Sequence, residues 1–153
     1  MIKINVILNN KSWKKYLKNP NSYIDKKVRS INKKNKLYKK KLLICSLLLS
    51  DTEHIKRLNK KFRNKNSSTD VLSFPFYEKR KLKNILKKDK EIYLGDIIIN
   101  LNKIKNKHDK KKFRHQLNKL WIHGFFHLLG YDHKTEKNFN EMRNLENKFL
   151  NLI

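Results

Sequence analysis

The chain has 153 residues, 39 Lys or Arg against 13 Asp or Glu, a formal net charge of +26 and a single cysteine, Cys45. That length suits one domain, expected over residues 1–153, with a real core, and a hydrophobic content of 38% argues against a disordered chain. One cysteine excludes an internal disulfide and a thiolate metal cluster, so any metal site must draw on histidine and carboxylate. The charge suits phosphate backbones through Coulomb attraction and counterion release. Lys, Asn and Ile are abundant together, however, as A/T-rich coding makes them in any protein, so the charge alone identifies nothing.

Ile2 to Leu8 (IKINVIL) alternates and reads as a strand. Ser22 to Asn35 carries Tyr23, Ile24, Val28 and Ile31 at helical spacing, with Ser22 as a cap candidate and Asp25 three residues on. Leu42 to Leu49 is a continuous apolar run, the pattern of a central strand. Ser50 to Glu53 (SDTE) reads as a capping box for a helix through about Phe62, with Ile55, Leu58 and Phe62 facing inward. Thr69 to Phe76 (TDVLSFPF) is a short strand ended by Pro75. Glu78 to Lys90 reads as a mobile polar loop or weak helix, and Tyr93 to Asn100 (YLGDIIIN) as another strand. Lys111 to Leu129 is a long helix with Phe113, Leu117, Leu120, Trp121, Phe125 and Leu128 on its apolar side. Gly130 is placed to end it in the left-handed conformation. A last amphipathic helix spans Phe139 to Leu152, through Met142, Leu145 and Phe149. About four strands interspersed with helices predict an α+β fold: one domain, a small mixed sheet packed with helices. The apolar part of MIKINVILNN is too short for a signal peptide. The longest apolar run falls far below the ~20 residues of a membrane span. A soluble, cytoplasmic protein with no membrane partner is expected.

The chemistry gathers in HGFFHLLGYDH, His123 to His133. His123 and His127 are four apart, so on a helix they lie ~40° apart around the axis and ~6 Å along it. Gly130 breaks the helix, and His133 can swing back toward the first two. Three neutral imidazoles at ~2.0–2.1 Å leave a tetrahedral zinc one open position, the mark of a catalytic site. Such a site also accepts other divalent ions. His54, His108 and His115 lack this spacing and read as solvated or structural. The frame His-x-x-x-His-x-x-Gly-x-x-His is that of metzincin proteases, in which glutamate follows the first histidine as general base. Here Gly124 stands there, which neither takes nor gives a proton. Peptide hydrolysis is disfavoured, and a phosphodiester is a natural substitute, whose phosphoryl oxygen a Lewis acid can polarise.

HGFFHLLGYDH, with TDVLSFP (Thr69 to Pro75) and LGDIIIN (Leu94 to Asn100), closely resembles the YbeY family of single-strand-specific, metal-dependent endoribonucleases of ribosomal RNA maturation. The resemblance runs from the helix near Ser50 to the end. It implies that His123, His127 and His133 are both the zinc ligands and catalytic residues. It also implies an essential arginine, which LNKKFR places at Arg63, with a guanidinium fork for the scissile phosphate. Implied partners are single-stranded ribosomal RNA and the small ribosomal subunit, with no DNA specificity. Ser68, Gln116 and Phe126 depart from the family's usual proline, glutamate and leucine, and none touches the ligands.

Asp132 either orients a ligand ring or caps the turn. Asp70 and Asp96 suit turns, and Glu146 an ion pair with a basic neighbour. No general base is evident: metal-activated water or the RNA's own 2′-hydroxyl attacks. Two competing readings remain. One is a non-catalytic RNA-binding ribosome-assembly factor with a structural zinc. The other is a metallopeptidase with a remote carboxylate.

Overall fold

In the computed structural model, which describes residues 1–35 and 40–153, a four-stranded sheet has the order β1-β2-β4-β3. β1 (Ile2–Leu8), β2 (Leu42–Ser50) and β4 (Glu91–Asn100) are parallel, and the edge strand β3 (Val71–Pro75) runs antiparallel to β4. The expected mixed sheet and α+β class are therefore observed.

The sheet buries one face fully. From β2, Leu43, Cys45, Leu47 and Leu49 enter the main core, with Ile97 and Ile99 of β4 and Phe113, Leu117, Trp121 and Phe125 of α4 (Lys110–Leu128). α1 (Pro20–Lys34) adds Ile24, Val28 and Ile31, and α5 (Glu136–Leu150) adds Met142 and Phe149. On the other face, α2 (Thr52–Arg63) covers a small second cluster of Ile55, Leu72 and Ile98.

Local chemistry moves several boundaries. α1 starts earlier than its apolar pattern suggests: Asn19, not Ser22, is the cap, and Pro20 takes the first helical position, where its missing N–H costs nothing. α2 is capped by Asp51, whose carboxylate accepts from the His54 amide, while Ser50 still belongs to β2. Ser50 Oγ and the Asn9 amide instead hold His54 Nδ1, at 2.8 and 2.9 Å, so this histidine is structural. The inner face of α2 ends on buried Asn59, which donates to the Ser67 carbonyl, whereas Phe62 is 59% exposed. The lysine-rich stretch after Glu78 is helical, forming α3 (Lys79–Lys88) around buried Leu82. α5 runs from Glu136 under a Thr135 cap and stops at Leu150.

One bulge shapes β4. Ile44 pairs with Tyr93 and Cys45 with Gly95, so Leu94 is an extra residue. Gly95 sits at φ +128°, and a Cβ there would collide with the Phe74 carbonyl oxygen, so only glycine fits.

Candidate metal centre

α4 supplies two of the three histidines, and its last turn directs the third. Asp109 caps its start, accepting from the Lys111 and Lys112 amides. At the other end Gly130 adopts φ +83°. The Gly130 amide donates to the His127 carbonyl at 2.9 Å and the Tyr131 amide to the Phe126 carbonyl at 3.1 Å. Tyr131 also packs edge-on against Phe126, with ring centroids 5.7 Å apart. These are the paired bonds and the apolar contact of a Schellman ending, and they reverse the chain toward His133. Asp132 fixes the turn further: it accepts from the Asn138 side chain at 2.7 Å and lies 3.7 Å from Lys79 Nζ. The Asn138 bond first, with the Lys134 amide, holds its carboxyl below the usual range. Of the two roles open to Asp132, turn capping is the one seen.

The result is a cluster. One ring nitrogen each from His123, His127 and His133 lies within 4.8 Å of the others. His123 Nδ1 is 2.8 Å from Glu146 Oε1, and His127 Nδ1 is 3.0 Å from the Tyr131 carbonyl oxygen. Both partners are acceptors, so each Nδ1 carries the proton and each Nε2 keeps its lone pair. Those two Nε2 atoms face each other at 3.0 Å. Opposed lone pairs at that distance are unfavourable unless a cation lies between them. A tetrahedral zinc with bonds of ~2.0–2.1 Å needs its nitrogens about 3.3–3.4 Å apart; this pair stands at 3.0 Å, and the three nitrogens span at most 4.8 Å. Burial first, and the His123 imidazole second, hold His127 below its ordinary value, keeping it neutral as a ligand must be. The donor set therefore fits a divalent metal.

Gly124 answers a separate question. A Cβ there would lie 2.6 Å from Ile97 Cγ2 and 3.1 Å from Ser73 Oγ. α4 lies directly on the sheet at this point, and no side chain fits between. The position after the first histidine thus has no room for a peptidase glutamate, quite apart from lacking one.

Arg63 ends α2 and is not brought into the histidine cluster. Its Nη2 donates to the Ser73 carbonyl oxygen at 3.3 Å, with the guanidinium 5.9 Å from the Phe74 ring. Ser73 links it to the site, since the side chain of the same residue faces Gly124. Arg63 is exposed. Gln116, which had no expected role, accepts from the Lys105 amide at 2.9 Å and so secures the loop before α4. Glu146 is the residue that sequence reasoning placed wrongly. Its partner is His123 of the cluster, 23 positions away, rather than a basic neighbour, and only the packing of α5 on α4 could reveal that.

Beside the cluster, between α4 and α5, lies a cleft of about 290 Å³ lined by Lys119, His123, His133, Phe139, Arg143 and Glu146, among others.

The chain is similar to known proteins. The family described as Endoribonuclease YbeY matches residues 7–153. A curated relative from Pelagibacter ubique, named Endoribonuclease YbeY, is 43% identical over 145 residues, covering 93% of this chain and 90% of its own length. A relative of the same name from Thermodesulfovibrio yellowstonii is 39% identical over 129 residues, 82% of this chain and 74% of its own. Among solved structures, the solution structure of a Thermotoga maritima protein superposes with a TM-score of 0.57 at 27% identity, covering 98% of this chain and 88% of that one. With the match spanning sheet, metal cradle and final helix alike, the chain belongs to the YbeY endoribonuclease family.

Proposed function

We propose that this chain is a metal-dependent endoribonuclease that cuts single-stranded RNA, acting on ribosomal RNA during maturation of the small ribosomal subunit in the cytoplasm. His123, His127 and His133 hold the ion, zinc by the preference of a three-imidazole set. Arg63 binds the phosphate at the scissile bond. The observation that carries the reading is the convergence of three imidazole nitrogens within 4.8 Å beside a glycine that leaves no room for a protease base. Names of the relatives add the substrate class: they are endoribonucleases.

A divalent ion in this cradle would polarise a phosphoryl oxygen and acidify water. The protein's own contributions are separate. Glu146 and the Tyr131 carbonyl fix two rings in the tautomer that presents Nε2. Arg63 offers planar paired donors to a phosphate, and its one bond to Ser73, at 3.3 Å, is weak enough to yield. No described helix is long and apolar enough to cross a membrane.

The test is cleavage of a single-stranded ribosomal RNA fragment by zinc-loaded wild type and by His127→Ala and Arg63→Ala. Both variants are expected to lose at least ~100-fold in kcat/KM, on the scale of removing one transition-state contact. Equal cleavage by all three proteins would overturn the site. End-group analysis distinguishes the nucleophile: a 2′,3′-cyclic phosphate beside a 5′-hydroxyl means the RNA's own hydroxyl attacks, and a 5′-phosphate beside a 3′-hydroxyl means water.

A further inference from the structure

α4 carries more than its metal ligands. His115, Lys119, His123 and His127 recur every four residues, so a line of nitrogen-bearing side chains climbs one side of the helix in steps of ~6 Å. His115 and Lys119 are exposed. Three clefts follow this line and overlap. The cleft beside the metal centre shares Lys119 with a broad one of about 1060 Å³ above it. That one shares Lys110 and Arg114 with a third, against Lys14, Lys15 and Lys107.

Charge along this path is almost of one sign. Its lining includes the acidic residues Asp109 and Glu146, and both are committed: Asp109 caps α4 and lies 3.6 Å from Lys112 Nζ, and Glu146 holds His123. Arg114 stacks over Tyr23, 5.4 Å from its ring centre, and its buried Nε has no hydrogen-bond partner among the described residues. Lys110, Lys111 and Lys112 open α4, the end of a helix where positive charge is least favourable. Scattered lysines from compositional drift do not by themselves give contiguous clefts that end at the chemistry.

We propose that this side of α4 is a track for single-stranded RNA, running from the Lys107–Arg114 end to the metal centre, so that the protein grips several nucleotides on one side of the bond it cuts. This rests on the endoribonuclease reading. From His123 to Lys110 the path is about 20 Å, 13 residues at 1.5 Å each. That accommodates about six nucleotides at a stacked rise of about 3.4 Å, and fewer if the strand is stretched. Backbone contacts of this kind carry affinity without sequence preference.

The test compares wild type with the triple variant Lys107→Ser, Lys110→Ser, Lys111→Ser, and with Lys87→Ser, Lys88→Ser, Lys90→Ser, which removes equal charge outside the three clefts. Two of the track changes relieve repulsion at the start of α4, so lost binding is not explained by unfolding. Binding is read by fluorescence anisotropy on a labelled 12-nucleotide 2′-O-methyl RNA and on a trinucleotide of the same chemistry. The track variant is expected to lose at least tenfold affinity for the 12-mer, with its salt slope reduced by about 2, at about 0.7 per phosphate contact. Trinucleotide binding should hold, and KM for a long cleavable substrate should rise with kcat unchanged. Equal losses in both triple variants, or equal losses on both RNA lengths, would overturn the track. Because binding is measured on metal-free protein, without turnover, a track variant that fails selectively on the 12-mer while no metal-loaded protein cleaves RNA would sink the nuclease reading and leave the track standing.

Discussion

Glu146 shows what a single contact does for this site. Its bond to His123 Nδ1 sets the ring's tautomer and orientation and raises the basicity of the nitrogen aimed at the metal. Glu146→Ala is expected to weaken zinc binding by about 10- to 100-fold, measured by competition with a chromogenic chelator. The metal-free variant should melt close to the metal-free wild type, since the carboxylate is only partly buried. Unchanged zinc affinity would reduce the contact to an incidental ion pair. The histidines themselves were legible in the sequence because spacing on a helix is geometry. The carboxylate behind them was not, because its reach depends on how two helices cross. Arg63 lies between these cases. Only family likeness selects it from 39 basic residues, and the structure adds its anchorage on Ser73.

Elements are defined here by their ends as much as by their apolar faces. The periodic stretches were readable along the chain, but the starts of α1 and α2 were not, because Asn19 and Asp51 compete with nearby serines that also cap helices, and α5 begins a turn before its apolar pattern, at Glu136. Asp51 wins since β2 extends through Ser50 and uses that residue's backbone in the sheet. The His54 amide first, then the Asn10 side chain, hold the Asp51 carboxyl below its usual range. The sign follows. A carboxylate favoured in the folded state adds stability that is complete above its unfolded value, ~3.9, and is lost as pH falls through the lower folded value. Asp51→Ala is expected to cost about 1 kcal/mol at neutral pH, with the gap to wild type closing in acid, as urea melts across that range would show. A constant gap at all pH values would assign the loss to something other than the charged cap. The lysine-rich α3 escaped a firm reading because Leu82 is its one fully buried apolar residue, too little to imprint a period.

At the scale of the whole molecule, the candidate metal centre sits on a core packed by apolar side chains. α4 is packed on β3, β4 and α5 through Leu117, Trp121, Phe125 and Phe126, all at or near 0% exposure. The turn to His133 is closed by backbone bonds and by Asp132. Metal removal is therefore expected to leave the far-UV circular dichroism spectrum unchanged while lowering the melting temperature. The ion's contribution is about 4 kcal/mol when it is present at ~1,000 times its Kd. Unfolding on chelation would favour a structural zinc and the assembly-factor reading. Cys45 is likewise part of the core: burial first, and the Asp96 charge second, push its thiol up to about 12, so it neither ligates nor reacts.

The contact between Gly124 and Ile97 also limits how this scaffold can change its trade. The metzincin protease frame and this one differ by one acidic residue after the first histidine, which looks like a single step. Here the step is blocked, because the incoming carbon atom would land on a sheet side chain 2.6 Å away. Conversion would require trimming Ile97 at the same time, and each change alone harms the protein that carries it. Two chemistries separated by one letter of sequence are thus kept apart by the closeness of a helix to the strand beneath it.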